Sequence, residues 1–251
     1  MGSSSGKTKS TVPSEVGTYD VCGLRNDKFI IQASVGYVKV PSLGAEIRGS
    51  DMRPMHKECM YGDHYLAKYE VELPPNQGHS HIAEISFSGV VEKEEKKETT
   101  AFFILKGKSC IKVNDLSVGH LEVKTIFDLH PECQGGCFYF ANSTGFYLIY
   151  SDNTFLQASD ISSTKYRSST ASRLKLHESF ANGVYYFATD DYFYVVKEHS
   201  EFGLVYHRTK DLRSNEEVAV LSISPSITKF LQGYSLEDHQ IDELQGESIV
   251  R

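Results

Sequence analysis

The sequence predicts an all-β protein: a small β-propeller of four or five blades, with a flexible N-terminal arm and a short acidic C-terminal helix or tail. The main evidence is one segment that occurs twice, since residues 136–149 and 183–196 align without a gap at an offset of 47 residues. A two-strand unit with a period in the forties is typical of propellers, in which each blade repeats one unit. The 14 Phe and 15 Tyr residues suit strands, and the absence of Trp argues against blades of the WD type.

Strand patterns follow one another from Tyr19 onward. Residues 28–40 and 100–113 are predicted to be a third and a fourth copy of the repeated hairpin. Further downstream, the same offset aligns Phe155 with Phe202, so these two residues are predicted to be equivalent. An Asp-Leu or Asp-Ile pair recurs where the units end, at residues 115–116, 160–161 and 211–212. Recurrence at comparable places favours a repeat over a single hairpin that arose by chance.

Several less regular segments complete the predicted β domain. Residues 65–73 and 82–91 alternate between apolar and polar side chains, as expected of strands. The charged residues 92–98 are expected to form a solvated hairpin tip. Residues 218–224 and 227–233 are predicted to be a final strand pair.

The chain is predicted to divide into an arm, a propeller and a tail, at residues 1–16, 17–234 and 235–251. Ser235 begins a capping-box pattern, and Ile241 and Leu244 lie on one side of the short helix that would follow. The tail is acidic, whereas Lys7 and Lys9 make the arm basic. Attraction between the two ends is expected to be weak at cellular salt unless they are held together.

The aromatic hairpins that begin at Gly136 and Gly183, each with a polar turn between its strands, resemble the blades of hemopexin-like β-propeller repeats. The resemblance implies a propeller built from such blades. The chain departs from that family by lacking Trp, a secretion signal and a disulfide that joins the first and last blades. No ligand or metal site of the family is therefore transferred to any residue here.

Charge and cysteine content narrow the functional classes. The net charge of −7, with no basic stretch interleaved with aromatic residues, argues against a nucleic-acid partner. Residues 1–20 contain no apolar segment of the signal-peptide kind. The cysteines are odd in number and scattered, which favours reduced thiols in a cytosolic protein: Cys22, Cys59, Cys110, Cys133 and Cys137.

The N-terminus resembles an N-myristoylation signal, with Gly2 as the acylated residue. Small residues follow Gly2, and Lys7 and Lys9 would supply a second, electrostatic attraction to a membrane. Gly6 stands where the stricter pattern has Ser or Thr. The alternative is a polar leader that carries no modification.

The candidate metal ligands are weak. His79 and His81 would face the same side of a strand, with His64, His56 and Cys59 as further ligands only if the fold gathers them. No known ligand spacing is present, so a polar loop is the favoured interpretation. We therefore predict no metal site and no cofactor.

The remaining pairs of Cys and Asp residues indicate structural roles in preference to catalytic or metal-binding ones. Cys133 and Cys137 have the wrong spacing for a redox or zinc pair, and Cys137 aligns with Val184, so we expect it to be a small buried side chain. Asp190 and Asp191 are predicted to lie in a hairpin turn. Neither a nucleophile elbow nor a phosphate-binding glycine loop is present, and no catalytic residue is predicted.

Three functions remain open. The first is a non-enzymatic cytosolic interaction module that binds a protein partner and attaches to a membrane surface through acylated Gly2. The second is a propeller that binds a sugar or another small ligand, although the turns at residues 142–144 and 189–191 differ and so argue against repeated identical pockets. The third is a hydrolase with a dispersed site in the central channel, which a sequence pattern does not reveal.

Overall fold

The computed structural model describes residues 18–72, 97–117, 125–170, 172–215 and 219–236. They form four antiparallel sheets, in each of which neighbouring strands follow chain order. Blade 1 contains β1 (Tyr19–Gly23), β2 (Lys28–Gln32), β3 (Gly36–Val40) and β4 (Arg53–Pro54). Blade 2 contains β5 (His64–Glu72), β6 (Lys97–Lys106), β7 (Ser109–Val113) and β8 (Thr125–Asp128). Blade 3 contains β9 (Phe138–Asn142), β10 (Gly145–Ile149), β11 (Thr154–Asp160), β12 (Arg167–Ser168) and β13 (Leu174–Lys175). Blade 4 contains β14 (Tyr185–Ala188), β15 (Phe193–His199), β16 (Gly203–Thr209) and β17 (Ala219–Ser222).

The four blades surround an axis lined by their first strands. Strands β1, β5, β9 and β14 contact one another in ring order. The protein is therefore a four-bladed β-propeller, which confirms the predicted fold class and selects four blades from the expected four or five.

The hydrophobic core is divided into four clusters, one between each pair of neighbouring blades. Adjacent aromatic residues of a first strand serve different clusters. Tyr139 packs between blades 2 and 3, whereas Phe140 packs between blades 3 and 4. In the same way, Tyr186 packs between blades 3 and 4, and Phe187 packs between blades 4 and 1. Consecutive aromatics are stable here because both faces of each sheet are covered.

The predicted repeat is confirmed at its centre and wrong in part elsewhere. The segments at 136–149 and 183–196 form the first two strands of neighbouring blades 3 and 4. Residues 28–40 and 100–113 are also hairpins, but they are the second and third strands of their blades. Alternating apolar residues do not distinguish these positions, because every inner strand of a propeller is buried on both faces.

The expected match of Phe155 with Phe202 is also wrong. Ile149 pairs with Phe155, whereas the equivalent Val196 pairs with Tyr206. Tyr206 therefore occupies the position of Phe155. Because β15 and β16 extend further before they turn, Phe202 falls in the turn and is exposed.

One backbone hydrogen bond recurs where each blade leads into the next. In each case an N–H donates to the carbonyl of an apolar residue that follows the third strand of the next blade. The four pairs are His56 with Leu116 (2.8 Å), His130 with Ile161 (2.9 Å), His177 with Leu212 (2.8 Å) and Ser224 with Leu43 (2.9 Å). All four acceptor residues are buried. The recurring Asp-Leu and Asp-Ile pairs of the sequence thus mark the points at which successive blades are joined.

A buried tyrosine recurs in the same linking segments. The hydroxyl of Tyr139 donates to the carbonyl of Cys133 at 3.0 Å and accepts the N–H of Gly136 at 2.9 Å. The same two bonds are made by Tyr65 with Cys59 and Gly62, and by Tyr186 with Phe180 and Gly183. The same spacing occurs at three of the links between blades: a His is followed at intervals of three residues by Cys or Phe, then Gly, then the Tyr. The sequence therefore contained this signal.

The final segment differs from its predicted structure. Residues 227–233 were expected to be a strand, but helix α1 (Pro225–Leu231) occupies most of this range. The Ser224 hydroxyl accepts the N–H of Ile227 at 3.2 Å, and Pro225 stands in the first turn, where proline favours a helix. Ile227 and Phe230 are buried at helical spacing. A short apolar run does not by itself distinguish a strand from a helix.

Candidate functional site

The first strands carry only small side chains at one level of the axis. We call the end of the propeller at which these strands begin the upper face. The small residues are Gly23, the last residue of β1, with Ala67, Ala141 and Ala188 in the other blades. A Cβ atom added to Gly23 would lie 2.6 Å from the Ala188 carbonyl oxygen. The backbones of blades 1 and 4 therefore approach closely at this level.

Four dissimilar side chains stand at equivalent positions near the upper face, at the second residue of β1 and the first residue of β5, β9 and β14. They are defined by their partners on the second strands, which are Ile31, Leu105, Ile149 and Val196. The four side chains are those of Asp20, His64, Phe138 and Tyr185. The backbone is repeated there and the chemistry is not, so the axis presents an asymmetric surface.

Asp20 and His64 form a close pair at this level. Asp20 Oδ2 lies 4.0 Å from His64 Nδ1, and the carboxylate accepts the N–H of Val21 at 2.8 Å and of Tyr65 at 2.7 Å. Burial raises the pKa of Asp20 to about 7, although the two N–H donors oppose this change. Burial lowers the pKa of His64, against the attraction of nearby Asp63. The pair is thus held partly in its uncharged form near neutral pH.

The rim of the upper face carries most of the exposed large apolar side chains of the described residues. These are Tyr61 (69% exposed), Phe202 (68%), Tyr234 (63%) and Val35 (46%). Val35 and Phe202 lie in turns between second and third strands, and Tyr61 lies in a segment that leads into a first strand. Tyr234 follows α1 and lines a groove together with Tyr19 and Val35. The other two, Ile126 and Val220, lie on outermost strands β8 and β17. The upper face is therefore the apolar face of the described protein.

A groove of about 330 Å³ opens on this face between blade 1 and α1, and we call it the α1 groove. Its apolar lining is Tyr19, Val35, Met52, Phe230, Tyr234 and Leu236. The remaining lining residues are uncharged. The rings of Tyr19 and Phe230 meet edge to face at 5.3 Å and form the base of the groove. This lining favours an apolar occupant.

A second, polar groove of about 750 Å³ lies along the outer part of blade 3 and is called the blade 3 groove. The Tyr166 ring stacks on His130 at 3.9 Å, and its hydroxyl donates to Glu132 Oε2 at 2.6 Å. The guanidinium of Arg173 lies 3.5 Å above the ring of Tyr150. The side-chain oxygen of Thr170, which also lines the groove, is buried without a hydrogen-bond partner.

The predicted site residues are not gathered into one site. Gly2, Lys7, Lys9, His79 and His81 lie outside the described residues. His56 Nδ1 accepts the N–H of Glu58 at 3.3 Å, so this histidine caps its linking segment. Cys59 is buried in the cluster between blades 1 and 2. Within the described ranges, no three His, Cys, Asp or Glu side chains are placed to hold a metal ion.

The prediction that Cys137 is buried is wrong, because this residue is exposed. Cys133 is buried, and burial raises the pKa of its thiol to about 12. The backbone equivalence holds, because Cys137 N donates to Ile149 O as Val184 N donates to Val196 O. Val184, however, packs against the cluster that contains the side chains of α1. Burial therefore depends on the neighbouring segment as well as on the repeat position.

Asp190 and Asp191 lie in the turn between β14 and β15, as predicted. Asp190 Oδ1 accepts the N–H of Ser143 at 3.1 Å, and Asp190 Oδ2 lies 3.0 Å from the Arg25 guanidinium. One carboxylate thus connects turns of blades 3, 4 and 1 at the lower end. These contacts assign it a structural role.

Comparison with known proteins adds no relative: no protein-family model matches the chain, and no curated protein and no solved structure matches it significantly. The resemblance to hemopexin-like repeats stays a prediction. Among the described residues, no helix has the length and apolar character needed to cross a bilayer. The α1 groove, the apolar rim and the close pair of Asp20 and His64 were not predicted, because they are formed by residues distant in sequence.

Proposed function

We propose that the protein is a non-enzymatic cytosolic docking module whose upper face binds a protein partner. The observation that carries this proposal is that Tyr61, Phe202 and Tyr234, each more than half exposed, all lie on one face. Contiguous exposed apolar patches mark interaction sites, and in the proposed module these rings contribute to such a patch. Tyrosine is enriched at such interfaces because its ring buries a large area while its hydroxyl stays hydrated.

A lipid anchor at Gly2 would present this face to a membrane. Thr18, the first described residue, precedes β1 at the upper face, so the arm leaves the propeller on the apolar side. One myristoyl chain binds membranes marginally, and each of Lys7 and Lys9 adds about 1 kcal/mol near an anionic leaflet. The net charge of −7 opposes this attraction. Attachment is therefore reversible and sensitive to salt.

The anchor is tested by intact-mass analysis of the protein from cells, followed by membrane flotation. We expect a mass increase of one myristoyl group that Gly2→Ala abolishes together with flotation. The double variant Lys7→Glu with Lys9→Glu should keep the acyl group and lose most of its binding to anionic vesicles. An unmodified N-terminus would contradict the anchor and leave the docking face to be tested separately.

The docking face is tested with two matched double variants. Tyr61→Ser with Phe202→Ser removes apolar surface from the upper face, and Ile126→Ser with Val220→Ser removes it from the outermost strands. Crosslinking in cells should yield a partner that only the upper-face variant loses. Equal loss in both variants, or retention in both, would contradict the assignment of the upper face.

The blade 3 groove favours a second function, the binding of a sugar or another small polar ligand. Tyr166, Glu132 and Arg173 line this groove together with Thr170, whose side-chain oxygen is buried without a hydrogen-bond partner. An aromatic face with charged and hydroxyl groups beside it matches the requirements of a polar ring with several hydroxyls. Titration with a panel of monosaccharides, followed by NMR, should shift groove resonances in the wild type and not in Arg173→Gln. No shift with any sugar would contradict this alternative.

A further inference from the structure

The α1 groove lies where both ends of the described chain come together. Tyr19, one residue after the arm meets the described chain, lines one side of the groove, and Leu236, the last described residue, lines the other. Gly233 faces the Tyr19 ring, since a Cβ there would lie 4.0 Å from it. The described residues nearest in sequence to the basic arm and to the acidic tail therefore lie beside the same groove.

From this placement we propose that the α1 groove is the docking site for the acyl chain carried by Gly2 of the same molecule. The inference rests on the acylation of Gly2 proposed above. The arm contains 16 residues from Gly2 to Gly17. An extended chain of that length spans up to about 55 Å, at roughly 3.3–3.6 Å per residue, so the arm is long enough to turn back to Tyr19.

The chemistry of the groove and of the arm selects the acyl chain as the occupant. The groove has no charged lining residue, and its volume of about 330 Å³ lies at the small end of ligand sites. Met52, an adaptable side chain, forms part of its wall. Between Gly2 and Gly17 the arm has only Val12, Pro13 and Val16 as apolar side chains of any size. The acyl group is thus the part of the arm best able to fill an apolar groove.

Charge complementarity supports the same placement. Lys7 and Lys9 lie on the arm, and the tail beyond Leu236 carries acidic residues: Glu237, Asp238, Asp242, Glu243 and Glu247. Because the arm and the tail are joined to the same propeller, each has an effective concentration in the millimolar range relative to the other. This offsets the screening of their attraction by salt. The same two lysines attract anionic lipids. Docking in the groove and insertion in a membrane therefore compete for one acyl chain and one pair of lysines.

Occupancy of the groove is tested by NMR of methionine methyl groups in the acylated protein. The Met52 methyl resonance should shift relative to Gly2→Ala, with contacts to acyl methylenes, whereas Met55, which is buried between blades 1 and 2, should not shift. Identical Met52 resonances in the two proteins would overturn the proposal.

The competition is tested with matched variants of exposed apolar residues. Tyr234→Ser alters the groove, and Ile126→Ser removes a similarly exposed side chain from outermost strand β8, outside both the groove and the upper face. If nine-tenths of the acyl chains are docked, their release raises the affinity for anionic vesicles roughly tenfold. We expect this gain for acylated Tyr234→Ser and for Val35→Ser, and no gain for Ile126→Ser.

The outcomes separate this inference from the proposed function. An acylated protein whose membrane binding is unchanged or weakened by Tyr234→Ser and Val35→Ser would overturn groove docking and leave the anchor intact. Contacts of the Met52 methyl group to side chains beyond Leu236 that are the same in the wild type and in Gly2→Ala would identify the tail as the occupant and overturn the inference. An unacylated Gly2 would overturn both the anchor and the inference.

Discussion

The backbone N–H of Ser224 donates to the carbonyl oxygen of Leu43 at 2.9 Å and joins the end of blade 4 to blade 1. This hydrogen bond is equivalent to the one from His56 to Leu116, except that its two residues come from opposite ends of the sequence. The Ser226 hydroxyl adds a second link by accepting the N–H of Ile47 at 2.9 Å. All five cysteines are free, so no disulfide closes the ring.

Ser224→Ala should weaken this closure. The substitution removes the hydroxyl that accepts the N–H of Ile227 and caps α1. We expect a loss of about 1 kcal/mol in the free energy of unfolding, measured by urea denaturation. Ser200→Ala, in the exposed turn between β15 and β16, is the control and should change it by less than about 0.5 kcal/mol. Equal losses in both variants would contradict a specific role for the cap.

Phe187→Ala should be among the most destabilising single substitutions. The ring is buried between blades 4 and 1 and stacks on Tyr194 at 4.5 Å. Removing it leaves a cavity, which costs about 3–5 kcal/mol. Phe202→Ala removes the same ring from an exposed turn and should change the free energy of unfolding by less than about 0.5 kcal/mol. Chemical denaturation of both variants measures the difference, and an unchanged midpoint for Phe187→Ala would mean that the ring is exposed.

Tyr186→Phe tests the tyrosine that recurs in the linking segments. The hydroxyl donates to the Phe180 carbonyl at 2.7 Å and accepts the N–H of Gly183 at 2.8 Å. Its removal leaves two buried backbone groups without that partner, which should cost about 1–3 kcal/mol. Tyr234→Phe, at an exposed position, is the matched control. Thermal and urea denaturation should show a loss only for Tyr186→Phe.

Asp20 should make stability depend on pH in a direction opposite to that of most carboxylates. Its pKa is raised to about 7 in the folded protein, compared with about 4 in an unfolded chain. Between these values the folded state binds the proton more tightly, so the contribution of Asp20 to stability is complete below about pH 4 and is lost as the pH rises to about 7.

The measurement is the free energy of unfolding from pH 4 to pH 8 for the wild type and Asp20→Asn. The difference between the two profiles should change by up to a few kcal/mol across that window and then level off. His64 acts in the opposite direction, because its lowered pKa removes stability as the pH falls. Repeating both profiles in the His64→Gln background separates the two groups. A flat difference in that background would show that Asp20 has an ordinary pKa.

The repeat revealed the blades more reliably than the position of each strand within them. Residues 136–149 and 183–196 were predicted as equivalent hairpins and are the first hairpins of adjacent blades. Residues 28–40 were predicted to be a copy of the same hairpin, yet they are the second and third strands. The apolar pattern indicates that a strand is buried on both faces, and this holds for the first hairpin of a blade and for the hairpin of its second and third strands. The pattern does not indicate how far a strand lies from the propeller axis.

The candidate site was less accessible to sequence reasoning than the fold. Gly2 was proposed as an acylation site because the acylation signal is a local pattern, which is readable without a structure. The α1 groove was not predicted, since its wall combines Tyr19, Met52 and Phe230 from three distant segments. The apolar rim also depends on the turn that exposes Phe202, whereas the repeat had aligned Phe202 with Phe155, which is buried.

The sequence by itself determined the propeller class, because a hairpin that repeats with buried aromatic residues has to stack against copies of itself. It also marked the acceptors of three of the four linking bonds, through the Asp-Leu and Asp-Ile pairs that follow third strands. Only the tertiary structure decided that four blades close the ring, with Ser224 completing it at Leu43. It also decided that Asp20 lies beside His64 and that Tyr19 and Leu236 line one groove. These relationships depend on distances between segments far apart in the chain, which local patterns do not encode.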